Sequence, residues 1–365
     1  MIDITVPYYN DQENILKLLS SILMQTIVDK INVMIVDDCS DNYCFDIADS
    51  YRKLGLNINV FRSEQNNGPG IARQIGIDYT DSEFIMFADS DDCFYSVDSV
   101  EILYKSINEK TGYDCIWSSF INEQASINRT VKEQCTWVFS KIYRRSFLDY
   151  NKIRFDDSPN PRGNEDLAFN LKVLKCCEFN KQFHLGYIDD VTYYWKFNQN
   201  SITRNNNRLF EFDQCICQYV DNMIEVIDWL ENKFGDLSQE LLVSDMILTL
   251  YYMFYHICNN RNEFAKQAEW YVKKFYAKVI VRYRNVLKTS TITNSYCDIV
   301  PELTRSWRAF GYLPNKGILD FINSIDGWDE DAIKDIWREM SQNPETLKSM
   351  KNNVEKHLMP QDYWI

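Results

Sequence analysis

The chain has 365 residues, 45% of them apolar and 15% aromatic, which excludes a disordered or low-complexity protein and exceeds a usual single domain of about 100–150 residues. A formal net charge of −14 excludes a uniformly basic nucleic-acid binder. Eleven cysteines, odd in number and scattered, beside only three histidines, read as buried free thiols rather than as a disulfide framework or a zinc site.

No internal repeat is present, and no run approaches the roughly 20 consecutive apolar residues of a spanning helix. The segment Met1-Ile2-Asp3-Ile4-Thr5-Val6 enters a strand without a signal-peptide pattern, so the expected compartment is the cytosol. The first 120 residues alternate strand and helix signals, the pattern of an α/β domain with a parallel sheet. Ile2 to Val6 is the first strand. Asn10 is placed to cap a helix whose apolar residues Ile15, Leu18, Leu19, Ile22 and Leu23 fall at helical spacing, with Glu13 completing a capping box. Val33 to Val36 is a buried strand running into Asp37-Asp38. Asp46 to Leu54 then reads as helix, Ile58 to Phe61 as strand, Pro69 to Asp78 as helix and Glu83 to Ala88 as strand. Helix signals at Val97 to Asn108 precede a strand at Asp114 to Phe120, and the region from Trp137 to Lys196 mixes short elements around a helix at Asp166 to Leu174.

Beyond Asn205-Asn206-Asn207 the pattern is helical almost throughout, which divides the chain into an α/β domain at 1–207 and a helical domain at 208–365. Within the latter, 261–288 carries eight basic residues against Glu263 and Glu269. Lys274, Lys278 and Arg282 form an i+4 row opposite the apolar row Phe264, Ala268, Tyr271, Phe275 and Val279. A helix packed on one face and solvated on the other explains this, and so does a surface for phosphate groups, whether of a peripheral membrane contact or of nucleic acid. The tail from Asn315 reads as a solvated helical segment anchored by Trp328 and Trp337.

Chemistry concentrates where strands end. Asp89, Ser90, Asp91 and Asp92 follow the strand Glu83 to Ala88, and in an open α/β sheet ligands bind outside the carboxyl ends of the strands. Carboxylates at alternate positions can hold a hard divalent cation that neutralises a diphosphate, although an Asp-rich turn ahead of the helix near Asp98 has the same composition. Asp37 and Asp38 can accept hydrogen bonds from a ribose or a base imide, or merely close a turn. In Asn67-Gly68-Pro69-Gly70-Ile71-Ala72-Arg73 the glycines permit close backbone approach and Pro69 suits a first helical position. The helix N-terminus there favours anions, and Arg73 can fork onto a base or phosphate, or form an ion pair.

The motifs Val6-Pro7-Tyr8-Tyr9-Asn10, Val36-Asp37-Asp38-Cys39-Ser40-Asp41, Asn67-Gly68 with Ala72-Arg73, Asp89-Ser90-Asp91-Asp92 and Gly163-Asn164-Glu165-Asp166 stand in the order and spacing of the family 2 glycosyltransferases. The block from Trp137 to Phe155 resembles that family's acceptor-side segment. The resemblance covers about residues 1–205. It implies a GT-A fold (a Rossmann-like mixed sheet), a nucleotide-diphospho-sugar donor whose base is uracil, a divalent cation (Mn or Mg), and inversion at the anomeric carbon.

On that resemblance Tyr9, Asp38 and Arg73 contact base and ribose, with Pro7, Asp37, Gly68 and Ser90 beside them. Asp89 approaches the ribose, sugar or metal, and Asp91 ligates the metal. Asp166 is the general base and Glu165 its acceptor-side neighbour. Cys39 stands where the family usually has Gly. Lys196 stands near a position where it often has Arg or His, and can bind diphosphate oxygens as a point charge.

The expected function is transfer of a sugar to a hydroxyl acceptor, a glycan or a lipid-linked molecule, in cell-surface glycan assembly. The helical domain would serve acceptor binding or homo-oligomerisation. Glycosylation of hydroxylated DNA bases is the alternative that the basic segment raises, and a non-catalytic sugar-nucleotide or glycan-binding protein is the alternative from another class.

Overall fold

β1 (Ile2–Tyr8) is buried at every position but Pro7, as a parallel strand covered on both faces must be. It is flanked by β2 (Ile31–Asp37) and β4 (Phe84–Phe87), both parallel to it. In this computed structural model the described residues are 1–109, 112–124, 127–132, 135–155, 165–198 and 219–235, with Lys278, Val279 and Arg282. The chain divides into two units, Met1–Arg204 and Asn205–Ile365.

In the first unit the other strands are β3 (Asn57–Arg62), β5 (Cys93–Phe94), β6 (Cys115–Glu123), β7 (Asn128–Val131), β8 (Lys141–Arg144) and β9 (Leu185–Trp195). The sheet runs β3-β2-β1-β4-β8-β6-β9-β5, with β7 on β6. β3 to β4 are parallel in this order, and β8 reverses direction between β4 and β6. The sheet is therefore mixed, as the GT-A expectation requires. The helices are α1 (Gln12–Leu23), α2 (Phe45–Lys53), α3 (Pro69–Asp78), α4 (Ser99–Glu109), α5 (Arg145–Asn151) and α6 (Glu165–Phe179). Chain order runs outward from β1 to β3 and then returns to β4 on the other side. This opens a crevice at the carboxyl ends of β1 and β4.

The expected elements of the first 120 residues form with ends shifted by a few residues, and α3 spans the expected range. Asn10 does not cap α1. Its φ is 50°, a left-handed value that Asn tolerates. Its side-chain oxygen accepts the Asp41 N–H at 2.8 Å, so it ties the exits of β1 and β2 together, while Asp11 occupies the cap position. Residues 137–196 hide two strands, β8 and β9. β8 has only four residues, and β9 pairs with β6 through register shifts that break the alternation a sequence pattern needs.

At the opposite ends of the strands, buried Asp3 accepts from Ser82 N–H, Ser82 Oγ and Asn32 Nδ2. It also pairs with Arg145 at 3.0 Å, and Arg145 donates to the Ile77 and Ser82 carbonyls. One carboxylate and one guanidinium thus pin β1, β4, α3 and α5 far from the crevice.

In the second unit, α7 (Tyr219–Phe234) buries Val220, Met223, Val226, Ile227 and Leu230, one stripe of a helix. Arg282 pairs with Asp228 at 2.6 Å and with Glu231, so this member of the basic row is engaged by α7. Lys274, the rest of 261–288 apart from Lys278 and Val279, the run Leu237 to Cys258 and the tail from Asn315 lie outside the described residues. Among the described residues no helix is long and apolar enough to cross a membrane.

A Cβ at Gly76 of α3 would lie 2.1 Å from Thr5 Cγ2 on β1. Gly76→Ala gains about 1 kcal/mol of helix propensity and forces overpacking that costs about 1–3 kcal/mol. Net destabilisation, seen as a lower urea midpoint, is expected.

Candidate active site

Loops leaving β1, β2 and β4 meet at the crevice, and much of their shape is held by carboxylates accepting backbone N–H groups. Asp37 is fully buried, accepts Ser40 N–H at 2.9 Å and pairs with Arg62 at 3.0 Å. It thus holds the loop after β2 to the end of β3. Asp38 accepts the N–H groups of Asn67 at 2.9 Å and Gly68 at 2.7 Å. Burial raises its proton affinity, and those two donors work against the rise. Each carboxylate oxygen has a second lone pair, so Asp38 can orient the glycine loop and still accept from a base. Cys39 takes φ 65°, the left-handed region in which Gly is at ease, so the loop keeps its shape at a cost in strain. Tyr9 is half exposed at the mouth, and Pro7 lies partly covered beneath it. Gly68, with φ 86°, turns the chain into α3.

The acid loop after β4 is held from several sides. Tyr193 Oη accepts the Asp89 N–H at 2.9 Å. Asp91 accepts from Asn198 Nδ2 at 2.9 Å, and Asp92 accepts the Lys196 N–H at 2.8 Å. Ser90 donates to Asp11 at 2.7 Å. Burial, then the charges of Asp89 and Asp11, raise the proton affinity of Asp91, with only the Asn198 amide offsetting them among side chains. Asp92 is completely buried, one oxygen has no partner, and burial pushes it far above the carboxylate range. Among the described residues no three His, Cys, Asp or Glu side chains gather to hold a metal by themselves. The oxygen donors Asp89 and Asp91 nevertheless suit a Mg- or Mn-type cation, because such sites use one or two carboxylates and complete the shell with phosphates and water. The accumulated negative charge at Asp91 is what such a cation would relieve.

Of the two readings offered for Arg73, the structure shows an ion pair. It is 3% exposed. Nη1 bonds Asp166 at 2.6 Å and Glu165 at 3.0 Å, and Nη2 bonds Asp89 at 2.6 Å. Its fork engages three carboxylates. A Cβ at Gly70 would sit 2.9 Å from Glu165 Cγ, so Gly70 makes room for α6 to start against α3. Below lie Phe87, Tyr143, Phe155 and Phe169 in edge-to-face and stacked contact.

Three carboxylates against one guanidinium leave excess negative charge in a largely covered site, so a proton is held near neutrality. Burial pushes Asp166 up to about 8 against the pull of Arg73, and the Glu165 and Asp89 charges add to the rise. For Arg73 burial opposes the charge, but Asp166, Asp89 and Glu165 more than offset it.

Reading by motif misses the residues that hold this geometry: Asp11, Tyr193 and Asn198 around the acid loop, and Asn170 and Lys141 behind Asp166.

A mixed sheet with helices on it and a carboxylate-lined crevice at the β1/β4 switch point define a GT-A-like α/β glycosyltransferase fold. The solved structure of Staphylococcus aureus TarS 1–349 in complex with UDP-GlcNAc shares it, with a TM-score of 0.60 at 20% identity, over 78% of this chain and 83% of that one. Residues 3–164 match the model of Glycosyl transferase family 2.

Among curated relatives, poly(ribitol-phosphate) beta-N-acetylglucosaminyltransferase TarS of S. aureus is 27% identical over 210 residues, covering 53% of this chain and 35% of that protein. Glycosyltransferase GlyG of Streptococcus pneumoniae is 29% identical over 126 residues, covering 34% and 41%. Poly(ribitol-phosphate) beta-glucosyltransferase of Bacillus spizizenii is 36% identical over 93 residues, covering 25% and 15%. The chain thus spans well under two thirds of each of these relatives.

Replacing the buried Arg73 by Met strands three partly buried carboxylates, and removing one partner of a buried pair costs about 3–5 kcal/mol. The orphaned acids would hold protons that the unfolded chain has released, so the variant's stability falls as pH rises and recovers towards acid. Urea melts between pH 5 and 8 would show a deficit widening with pH.

Proposed function

We propose that the protein is a metal-dependent, inverting glycosyltransferase that moves a sugar from a UDP-sugar to a hydroxyl of a cell-surface glycan or polyol-phosphate polymer. The observation that carries this reading is Arg73, which joins Asp89 of the donor-side acid loop to Glu165 and Asp166 through contacts of 2.6–3.0 Å. That juxtaposition is what a single displacement needs: a base on one side of the anomeric carbon and charge neutralisation on the other. The names of the relatives support donor and acceptor class, since TarS is titled with UDP-GlcNAc and with poly(ribitol phosphate).

In the proposed mechanism Tyr9, Pro7 and Asp38 receive the base, with Gly68 closing the loop beneath it. Asp91 and Asp89 would hold a divalent cation, which when bound stabilises charge on the departing diphosphate. Ser90 braces the loop through Asp11, and Lys196 adds positive charge beside the diphosphate. Asp166 takes the proton of the acceptor hydroxyl as that oxygen bonds to the anomeric carbon and the bond to the diphosphate breaks, inverting the centre. A carboxylate pushed up to about 8 is a stronger base than an ordinary aspartate and still deprotonates in the physiological range. Glu165 sets that proton affinity and helps fix Arg73. The domain at 208–365 would shape the acceptor site or an oligomer interface.

Two experiments test this. UDP with Mn should raise the melting temperature of the wild type, since a ligand at 100 times its Kd stabilises by about 2.7 kcal/mol. Asp91→Asn should abolish the metal-dependent part of that shift; an unchanged shift would remove Asp91 from the metal site. Asp166→Asn should keep the shift and lose about 10²–10⁴-fold in turnover. Wild-type kcat/KM should rise with pH through about 8, a value that belongs to the coupled cluster. Glu165→Gln removes a charge that holds the proton on Asp166, so the limb should move to lower pH.

A further inference from the structure

Behind Asp166 lies a group that the reading above leaves unused. Lys141, the first residue of β8, is 1% exposed. Its Nζ donates to the Trp137 carbonyl at 2.6 Å and reaches the Phe139 carbonyl at 3.4 Å, over the Trp117 ring at 4.9 Å. Burial drives its pKa down to about 8, so the fold keeps a costly ammonium in the core. Asn170 sits one turn after Asp166 on α6, completely buried. Its Nδ2 donates to the Cys135 carbonyl at 2.7 Å and the Trp137 carbonyl at 2.9 Å, and its Oδ1 accepts from Tyr143 Oη at 2.7 Å.

Two donors from two elements therefore converge on Trp137 O. The next N–H along the chain, that of Val138, is the one that points at Asp166 Oδ2, at 3.4 Å. The segment closes on Ser140, which takes φ 61° and is locked by Ser118. Ser118 Oγ donates to Ser140 O at 2.9 Å, and Ser140 Oγ donates to Ser118 O at 2.7 Å. A non-glycine residue in that region persists only where its surroundings over-determine it, and such strain gathers at functional sites.

We propose that Lys141 and Asn170 are positioning residues for the base: they clamp the backbone at 137–139 so that the Val138 N–H holds Asp166 Oδ2, leaving the other oxygen to Arg73. Tyr143 orients Asn170 and completes the clamp. The proposal rests on the assignment of Asp166 as general base. The charged and titratable groups that face Asp166 are Arg73 on α3, Asp89 after β4, Glu165 on α6, Lys141 and Tyr143 on β8, and Arg73 alone bonds it as a cation.

The test uses the full chain with UDP-GlcNAc, poly(ribitol phosphate) and Mn, following UDP release against pH, donor affinity, and hydrogen exchange at the Val138 amide. Lys141→Met keeps length and burial while removing the donor. Tyr143→Phe removes one hydroxyl and serves if the first variant fails to fold. Misplacing a reacting group by about 1 Å costs up to about 100-fold, so kcat should fall about 10- to 100-fold in Lys141→Met and about 3- to 10-fold in Tyr143→Phe. Donor affinity should stay within about twofold of wild type if only the base has moved. In both variants Val138 exchange should quicken, and the rate limb should move to higher pH because the N–H that favours the charged carboxylate is loosened.

Folded variants with wild-type kcat and pH limb overturn the proposal, as does a loss of donor affinity equal to the loss of kcat, or unaltered exchange at Val138. Full turnover by Asp166→Asn would instead refute the assignment of the base. If wild type is silent with this donor and acceptor, the substrate assignment fails, and exchange at Val138 decides whether the clamp exists.

Discussion

The first unit is organised around one buried guanidinium. Arg73 reaches Asp89 after β4 and Glu165 and Asp166 at the start of α6, segments more than 70 residues apart in sequence. An arginine suits this task where a lysine would not, because its planar fork can serve several carboxylates at fixed angles and does not lose its charge on burial. Burial first, and then the excess of negative charge from Glu165 and Asp89, keeps Asp166 protonated up to about pH 8. Reactivity thus draws on burial and on this imbalance: a second cation would quiet the cluster and weaken the base.

Around this centre, carboxylates act mainly on backbone. Asp37 and Asp38 shape the loops after β2 and β3, and Asp92 receives the Lys196 N–H. A loop held by N–H groups from distant segments is pre-organised, so less ordering cost falls on ligand binding. β9 contributes to this through Tyr193, whose hydroxyl accepts the Asp89 N–H. β9, on the far side of the sheet from β1, therefore holds the acid loop after β4. At the other ends of the strands, the Asp3 and Arg145 network fixes β1 and β4 as a rigid floor.

Motif reading placed the acids correctly at strand ends and the glycine loop at the start of α3, because these depend on local rules: strand period, turn chemistry and helix entry. It does not name the partners of a residue where those partners arrive from far along the chain. Asn10 looks like a helix cap and instead bridges to Asp41. Asp37 looks like a ligand contact and is completely buried. Arg73 looks like a nucleotide contact, yet its partners come from an acid loop and a helix that no local pattern links to it. Lys141 lies within the block from Trp137 to Phe155, yet nothing there marks its burial, since a lysine opening a short strand is ordinarily solvated.

By itself, the sequence determined the alternation of strands and helices, the α/β class, the position of each acidic motif and the likeness to family 2. All of these follow from short-range periodicity and spacing. Only the tertiary structure decided the mixed order of the sheet, the strands β8 and β9, which carboxylates face the crevice and which hold loops, and the meeting of Asp89, Glu165 and Asp166 on Arg73. The physical reason is that proton affinity and hydrogen-bond partnership depend on burial and on neighbours brought from far along the chain. A linear pattern carries residue types and intervals, and the balance of charge in a closed space arises only when the chain has folded.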